Sequence, residues 1–378
     1  MHDIVAFCPV GLERILAEEA RRLGLTPSDR SAGRVTLSAD GRGLALGLMA
    51  LRTADRLLLR VASFDAPDFD SLFEGVRKLP WERWAAREDK VSVGKVRSRD
   101  SRLSASTAVQ SVVHKAVYAR LGQAYKTSRL PETGAEREIR VDLEDDRCEI
   151  LVDLSGEALS KRGWRTEAVE APLRETVAAG LLFLSGWTRK LPLRDPYCGS
   201  GTIAIEAALY ALDKAPNLNR AFAWQGMPCF EKAPFESARE ELSKRVRNDV
   251  MVDIVGSDRD PAAVGIASRN AERAGVGGFV RFAKSEAADL APKEGQKPGV
   301  IFGNPPYGLR IGSREEAEAS WREAGSLRER FPGWSLGFIV NAEDFPSFFG
   351  AKPTTSRKLA AGNEPLWFHW FPSNPLKN

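Results

Sequence analysis

Three stretches of the C-terminal half predict an open α/β sheet with a ligand site along its carboxyl edge. The first is a short apolar strand, Leu191-Pro-Leu193, that runs into a glycine loop, Asp195-Pro-Tyr-Cys-Gly-Ser-Gly-Thr202, and then into an apolar helix over 203–212. The second is Ile254-Val-Gly-Ser-Asp258, a strand that ends in an acid. The third is Val300-Ile301-Phe302, which leads straight into Gly303-Asn304-Pro305-Pro306-Tyr307-Gly308. Short apolar runs bounded by turn residues read as buried strands of a parallel sheet. In such sheets ligands sit just beyond the strand carboxyl ends. Ahead of this half the pattern predicts two small α+β units.

Those units read as follows. Residues 4–8 form a strand, and Pro9-Val10-Gly11 turns the chain. Leu12, Ile15, Leu16, Ala20 and Leu23 then make a helical stripe that Gly24 ends. Residues 33–38 are a second strand and 44–51 a second helix, while 56–61 fits either a strand or a helix end. In the second unit, 69–79 and 81–84 look helical, 90–96 alternates as a strand, and 107–121 is a helix with Val109, Val112, Val113, Ala116 and Val117 apolar. Residues 137–143 and 148–153 alternate cleanly on either side of Glu144-Asp-Asp-Arg147, which predicts a hairpin.

A chain of 378 residues is long enough for two or three domains. Its 43% hydrophobic and 28% charged content is that of a soluble globular protein. The four cysteines lack metal-ligand spacing and suggest no disulfide framework, so a reducing cytoplasm is expected. Met1-His2-Asp3 lacks the basic start of a signal peptide, and no uncharged run approaches a membrane span. A net charge of +4 says little about nucleic acid, but its distribution says more. Basic residues crowd 77–129, Arg97, Arg99, Arg102 and Lys126 among them, against few acids. That stretch is a candidate phosphate-binding face, or else a solvated surface.

The chemistry centres on Asn304. It precedes a proline, which pushes it into an extended conformation, and two prolines stiffen the loop behind it. The Asn304 side-chain oxygen and the Pro305 carbonyl are both acceptors. Two acceptors on rigid backbone suit the two N–H bonds of a planar amine, and Tyr307 offers a face on which a base can stack. Together they suit the exocyclic amine of a nucleobase taken out of its helix. Acceptors on both hydrogens localise the lone pair that the ring otherwise delocalises. The alternative is a proline-stiffened turn. In the glycine loop, Gly199 and Gly201 let backbone approach a ligand at a helix N-terminus. The spacing Gly199-x-Gly201-x-x-Ala204 also fits a dinucleotide fingerprint. Against that, Asp258 lies far beyond the roughly 20 residues such a fold uses. Asp195 at the mouth of the loop also suits a cation and would repel a pyrophosphate. Asp260-Pro261 reads as a helix N-cap and first-turn proline.

Read together, Asp195–Thr202 and Asn304–Tyr307 resemble the S-adenosylmethionine-dependent methyltransferases of nucleobase amino groups. The likeness is greatest to the THUMP-containing RNA guanine-N2 methyltransferases of the large-subunit ribosomal RNA type. The segment Leu-Ser-Gly-Glu-Ala-Leu-Ser-Lys-Arg-Gly-Trp-Arg over 154–165 and the Gly11-Leu12-Glu13 helix start are similar to theirs. The resemblance implies an α/β, Rossmann-like methyltransferase domain over 171–378, preceded by a ferredoxin-like domain (1–67), a THUMP RNA-binding domain (68–155) and a linker (156–170). It implies a helix opening at 171–175 beside the cofactor pocket. It assigns S-adenosylmethionine to Asp195, Tyr197, Gly199, Gly201, Thr202, Asp258 and Asn304, with Asp195 on the ammonium and Asp258 on the ribose. Where the family carries an Asp for the adenine amine this chain has Glu286, a departure, with Asp289 as an alternative. Catalysis is assigned to Asn304, Pro305 and Tyr307, without metal. Arg162, Trp164 and Arg165 are expected to touch RNA, with packing of the domain junction as the alternative for Trp164. The implied partner is structured RNA, ribosomal first and transfer RNA next, with the protein a monomer. An adenine-N6 or DNA methyltransferase, or an RNA-binding protein with secondary catalysis, are the alternatives.

Overall fold

The structure is a computed structural model and describes residues 1–169, 172–306, 313–360 and 365–373. Tyr307, expected to stack the base, lies outside the described residues. The N-terminal half is built from β1 (His2–Phe7), α1 (Glu13–Arg22), β2 (Thr26–Ser31), β3 (Arg34–Ala39), α2 (Gly41–Ala50), β4 (Arg56–Asp65), α3 (Phe69–Arg77), β5 (Lys90–Arg99), α4 (Ser106–Ala124), β6 (Glu136–Glu144) and β7 (Arg147–Asp153). All its strands join one seven-stranded sheet in the order β2-β3-β1-β4-β7-β6-β5. The stretch that fitted either strand or helix is β4, and its antiparallel pairing with β7 from Leu58↔Asp153 to Asp65↔Arg147 fuses the two expected units. The predicted hairpin is β6–β7.

Alternation along β1 divides the burial. Ile4 and Ala6 enter the main core, while Val5 joins Leu58 and Leu151 in a small cluster on the other face. Charge covers that second face. Arg34 pairs with Asp142 and Glu149, Arg60 with Asp3 and Glu149, and Arg140 lies over the Phe7 ring at 4.5 Å.

The C-terminal half continues with α5 (Glu175–Leu184), β8 (Leu193–Asp195), α6 (Thr202–Ala211), α7 (Lys232–Lys244), β9 (Ile254–Asp258), α8 (Pro261–Arg273), β10 (Arg281–Lys284), β11 (Val300–Gly303), α9 (Arg314–Arg330), β12 (Ser335–Val340), α10 (Phe345–Phe349), β13 (Thr355–Ala360) and β14 (Pro365–Phe371). Its sheet runs β10-β9-β8-β11-β12-β14-β13. The five strands from β10 to β12 are parallel, and β14 and β13 close the edge antiparallel. The chain winds outward from β8 in one direction through β9 and in the other through β11. The gap between the ends of β8 and β11 is therefore a topological switch point, where open α/β sheets hold ligands. Helix α5 starts at Glu175 and not at 171, because Arg174 is still extended at ψ 142°. The aromatic strand β14 is sheet core, with Trp370 stacked on Phe302.

The junction is buried and charged. Arg162 is enclosed, donating to the carbonyls of Leu159 and Arg52 at 2.5 Å and pairing with Glu206, both side chains 0% exposed. Arg162 thus cannot face RNA, and the buried Trp164 packs the junction. The insertion between α6 and β9 clamps the halves from the other side. Arg42 of α2 pairs with Glu241 of α7. Arg137 of β6, held by Asp89, donates to the carbonyls of Ala223 and Gly226.

Candidate active site

The ends of the parallel strands put the expected site residues in one row. Asp195 closes β8 opposite Gly256 of β9, and Asp258 closes β9 opposite Lys284 of β10. Glu286 follows β10 by two residues, and Asn304 follows β11 directly. All four line a cavity of about 920 Å³, together with Tyr197, Gly199, Thr202 and Pro305. Gly201, and Asp289, the alternative to Glu286, are not among the described residues that line it.

The two acids are held differently. Asp195 is 1% exposed and its only donor among the described residues is the Tyr197 amide at 3.3 Å. Burial lifts its carboxyl from an ordinary 3.8 to about 8, with the Tyr197 amide opposing and the Asp258 carboxylate adding to the rise. Asp258 is half-buried and accepts from the Gly199 amide at 3.0 Å through one oxygen and the Asp260 amide at 3.0 Å through the other. It thereby ties the glycine loop to the next strand end, and each oxygen keeps a lone pair for a ligand hydroxyl. Asp260 is the N-cap of α8, accepting from the Ala262 amide at 2.8 Å with Pro261 in the first turn, as the sequence predicts.

The glycine loop needs its small residues. Gly201 has φ +86°, and a Cβ there would stand 3.0 Å from Phe282 and 3.1 Å from Ala267. At Gly303 a Cβ would meet the Phe338 ring at 2.8 Å and the Tyr197 ring at 3.1 Å, so this glycine lets Tyr197 lie against the end of β11. Burial raises the Tyr197 phenol, whose OH donates to the Ser320 carbonyl at 3.4 Å.

Asn304 carries the sharpest signal. Its Oδ1 is buried and has no hydrogen-bond partner among the described residues. An unpaired buried acceptor costs about 1–3 kcal/mol. One that lines a cavity is matched when a ligand donor arrives. Sequence reasoning missed the wall opposite. Helix α9 with its N-cap contributes Ser313, Glu316, Ala317, Ser320 and Glu323, whereas Pro172 and Leu173 line the cavity as expected of the 171–175 stretch, with Val169 beside them. A capping box at Ser313 and Glu316 was the available signal for α9.

This is an α/β protein with an acid-lined cavity at the switch point of its parallel sheet. The chain belongs to the family with the RMKL-like methyltransferase domain, whose model matches residues 162–367. Models of the RlmL ferredoxin-like domain and the THUMP domain match residues 3–58 and 66–153. It is 37% identical to a protein of Bacillus subtilis (strain 168) named as a candidate RNA methyltransferase, YpsC, over 96% of this chain and 93% of that one. It is 33% identical to the ribosomal RNA large subunit methyltransferase K/L of Syntrophotalea carbinolica over 94% of this chain, but spans only 52% of that enzyme. Among solved structures, SMU.472, a candidate methyltransferase complexed with SAH, superposes with a TM-score of 0.91 at 33% identity, covering 100% and 99% of the two chains. A Listeria monocytogenes str. 4b F2365 protein described as a predicted N6-adenine-specific DNA methylase superposes at 0.90 with 35% identity, covering 98% and 96%.

Proposed function

We propose that this chain transfers a methyl group from S-adenosylmethionine to the exocyclic N2 amine of a guanine in structured ribosomal RNA. The observation that carries the reading is the buried, unpartnered Oδ1 of Asn304, a residue that lines the cavity beyond the ends of β8 and β11. The residues fit the cofactor: Asp195 answers a cation, Asp258 keeps lone pairs for ribose hydroxyls, and Gly199 and Gly201 give backbone access. The cofactor supplies an electrophilic methyl whose carrier loses its positive charge on transfer, so the leaving group needs no acid. Asn304 Oδ1 and the Pro305 carbonyl accept from the two amine hydrogens, pull the nitrogen toward tetrahedral geometry and aim its lone pair. Tyr307 stacks the base, and the displaced proton leaves to water. Glu286 takes the adenine amine in place of the family's Asp.

The THUMP match and the ribosomal names of relatives support RNA as the substrate. Guanine follows from the family resemblance, since adenine N6 offers the same two hydrogens. We divide the chain at 67/68 and 155/156, with the methyltransferase domain from 171, and place the protein in the cytoplasm as a monomer. Among the described residues no helix is long and apolar enough to cross a membrane. The test is to incubate the protein with labelled cofactor and unmodified ribosomal or transfer RNA, then digest to nucleosides. Label in N2-methylguanosine from ribosomal RNA is expected. Label in N6-methyladenosine refutes the base, and label confined to transfer RNA refutes the substrate.

A further inference from the structure

Arg165 does not line the cavity, yet its guanidinium ties two of the cavity's walls. Its Nη2 donates to the Leu173 carbonyl at 2.8 Å and to Thr202 Oγ1 at 2.8 Å, and it pairs with Glu175 at 3.2 Å. Leu173 and Thr202 both line the cavity. The Arg165 and Glu175 side chains are 14% and 8% exposed and Thr202 is 4% exposed, so water competes little for these contacts.

The contact has a chemical direction. A guanidinium only donates, so Thr202 Oγ1 must accept from it, and the hydroxyl hydrogen is left to give. Among the described residues that hydrogen has no acceptor. A neighbouring cation also polarises the hydroxyl and strengthens it as a donor. Independently, the ten-residue helix α6 begins at Thr202 and its N-cap, Gly201, supplies no side-chain cap, so its first-turn amides carry unmatched donors beside Thr202. Both features call for an anionic acceptor. Asp195, at the other end of the same loop, calls for a cation. A ligand end carrying both charges is a free amino acid group.

We propose that Arg165 is a positioning residue that sets the Thr202 hydroxyl as the donor for the carboxylate of the ligand's amino-acid end. The proposal rests on the cofactor reading, in which that end is the methionine moiety.

The experiment is calorimetry with two probes. S-adenosylhomocysteine carries the amino-acid end, and 5′-methylthioadenosine shares its nucleoside and sulfur but lacks the amino and carboxyl groups. Thr202→Val should weaken S-adenosylhomocysteine about tenfold or more, the scale of one charge-assisted hydrogen bond, and leave methylthioadenosine unchanged. Arg165→Met should do the same, the double variant should lose less than the product of the two losses, and Thr202→Ser should restore binding. Equal weakening of both probes, or unchanged S-adenosylhomocysteine binding in Thr202→Val, overturns the proposal and makes Arg165 a structural tie. Wild-type protein that binds neither probe overturns the cofactor reading itself, and the proposal with it.

Discussion

The two seven-stranded sheets have equal strand counts and opposite uses. In the first, five of the six neighbouring pairs are antiparallel and only β5–β6 is parallel, so most neighbouring strands end on opposite edges. Its free face is a lattice of ion pairs from Arg34, Arg60, Asp142 and Glu149. In the second, five parallel strands end on one side, and Asp195, Asp258, Glu286 and Asn304 collect there around one cavity. Wiring, more than composition, separates the half suited to presenting a surface from the half suited to holding a small ligand.

The largest effect should come from separating the two sheets. Arg137 and Asp89 are each 6% exposed, and Arg137 fastens β6 to the insertion between α6 and β9. Asp89→Ala leaves a buried guanidinium without its carboxylate, which should destabilise the fold by about 3–5 kcal/mol. A denaturant midpoint equal to wild type would show that the halves are not fastened there.

Next come the acids of the carboxyl edge. Asp195→Ala and Asp258→Ala should each weaken S-adenosylmethionine by about 1.5–3 kcal/mol. Unchanged affinity in both, by calorimetry, removes the cofactor assignment. The two acids should differ in pH behaviour. The Asp195 carboxyl is raised to about 8, so the unfolded chain gives up this proton first. Its contribution to ligand-free stability is complete below about pH 4 and is lost as pH rises through about 8. Asp195→Asn should flatten that slope. A cationic ligand reverses the preference, so wild-type affinity should rise with pH toward about 8 with proton release on binding. Affinity independent of pH over that window would argue that Asp195 does not meet a cation.

The smallest effect belongs to the first half. Arg99 pairs with Glu144, and Arg102 pairs with Asp146, whereas Arg97 and Lys126 are exposed and have no salt bridge among the described residues. If the basic stretch meets phosphates, Arg97→Ala and Lys126→Ala should each flatten the salt dependence of RNA binding by up to about 0.9. Arg99→Ala and Arg102→Ala should flatten it less. Equal slopes in all four variants move RNA binding elsewhere.

Much of this contrast was legible in the residues. Strand-to-turn transitions at Asp195, Asp258 and Asn304 marked the edge, and alternation over 137–153 marked the hairpin. What failed to show had physical reasons. β2 is almost wholly exposed and contains Pro27, so backbone pairing with β3 alone makes it a strand. α9 buries Ala317, Trp321, Ala324 and Leu327 on one face, a stripe thin enough to be lost among its charges. The fusion of the two N-terminal units depends on β4 meeting β7, a pairing across some ninety residues that no local pattern encodes. Arg162 and Arg165 read as surface cations because their partners, Glu206 and Glu175, are set by tertiary packing.

The most direct test compares cofactor affinity with methyl transfer in Asn304→Ala. The account predicts S-adenosylmethionine affinity near wild type and single-turnover transfer to RNA slowed about a hundredfold or more, as when one preorganised stabilising group is lost. Full transfer in the variant would contradict it and leave Asn304-Pro305-Pro306 as a stiff turn.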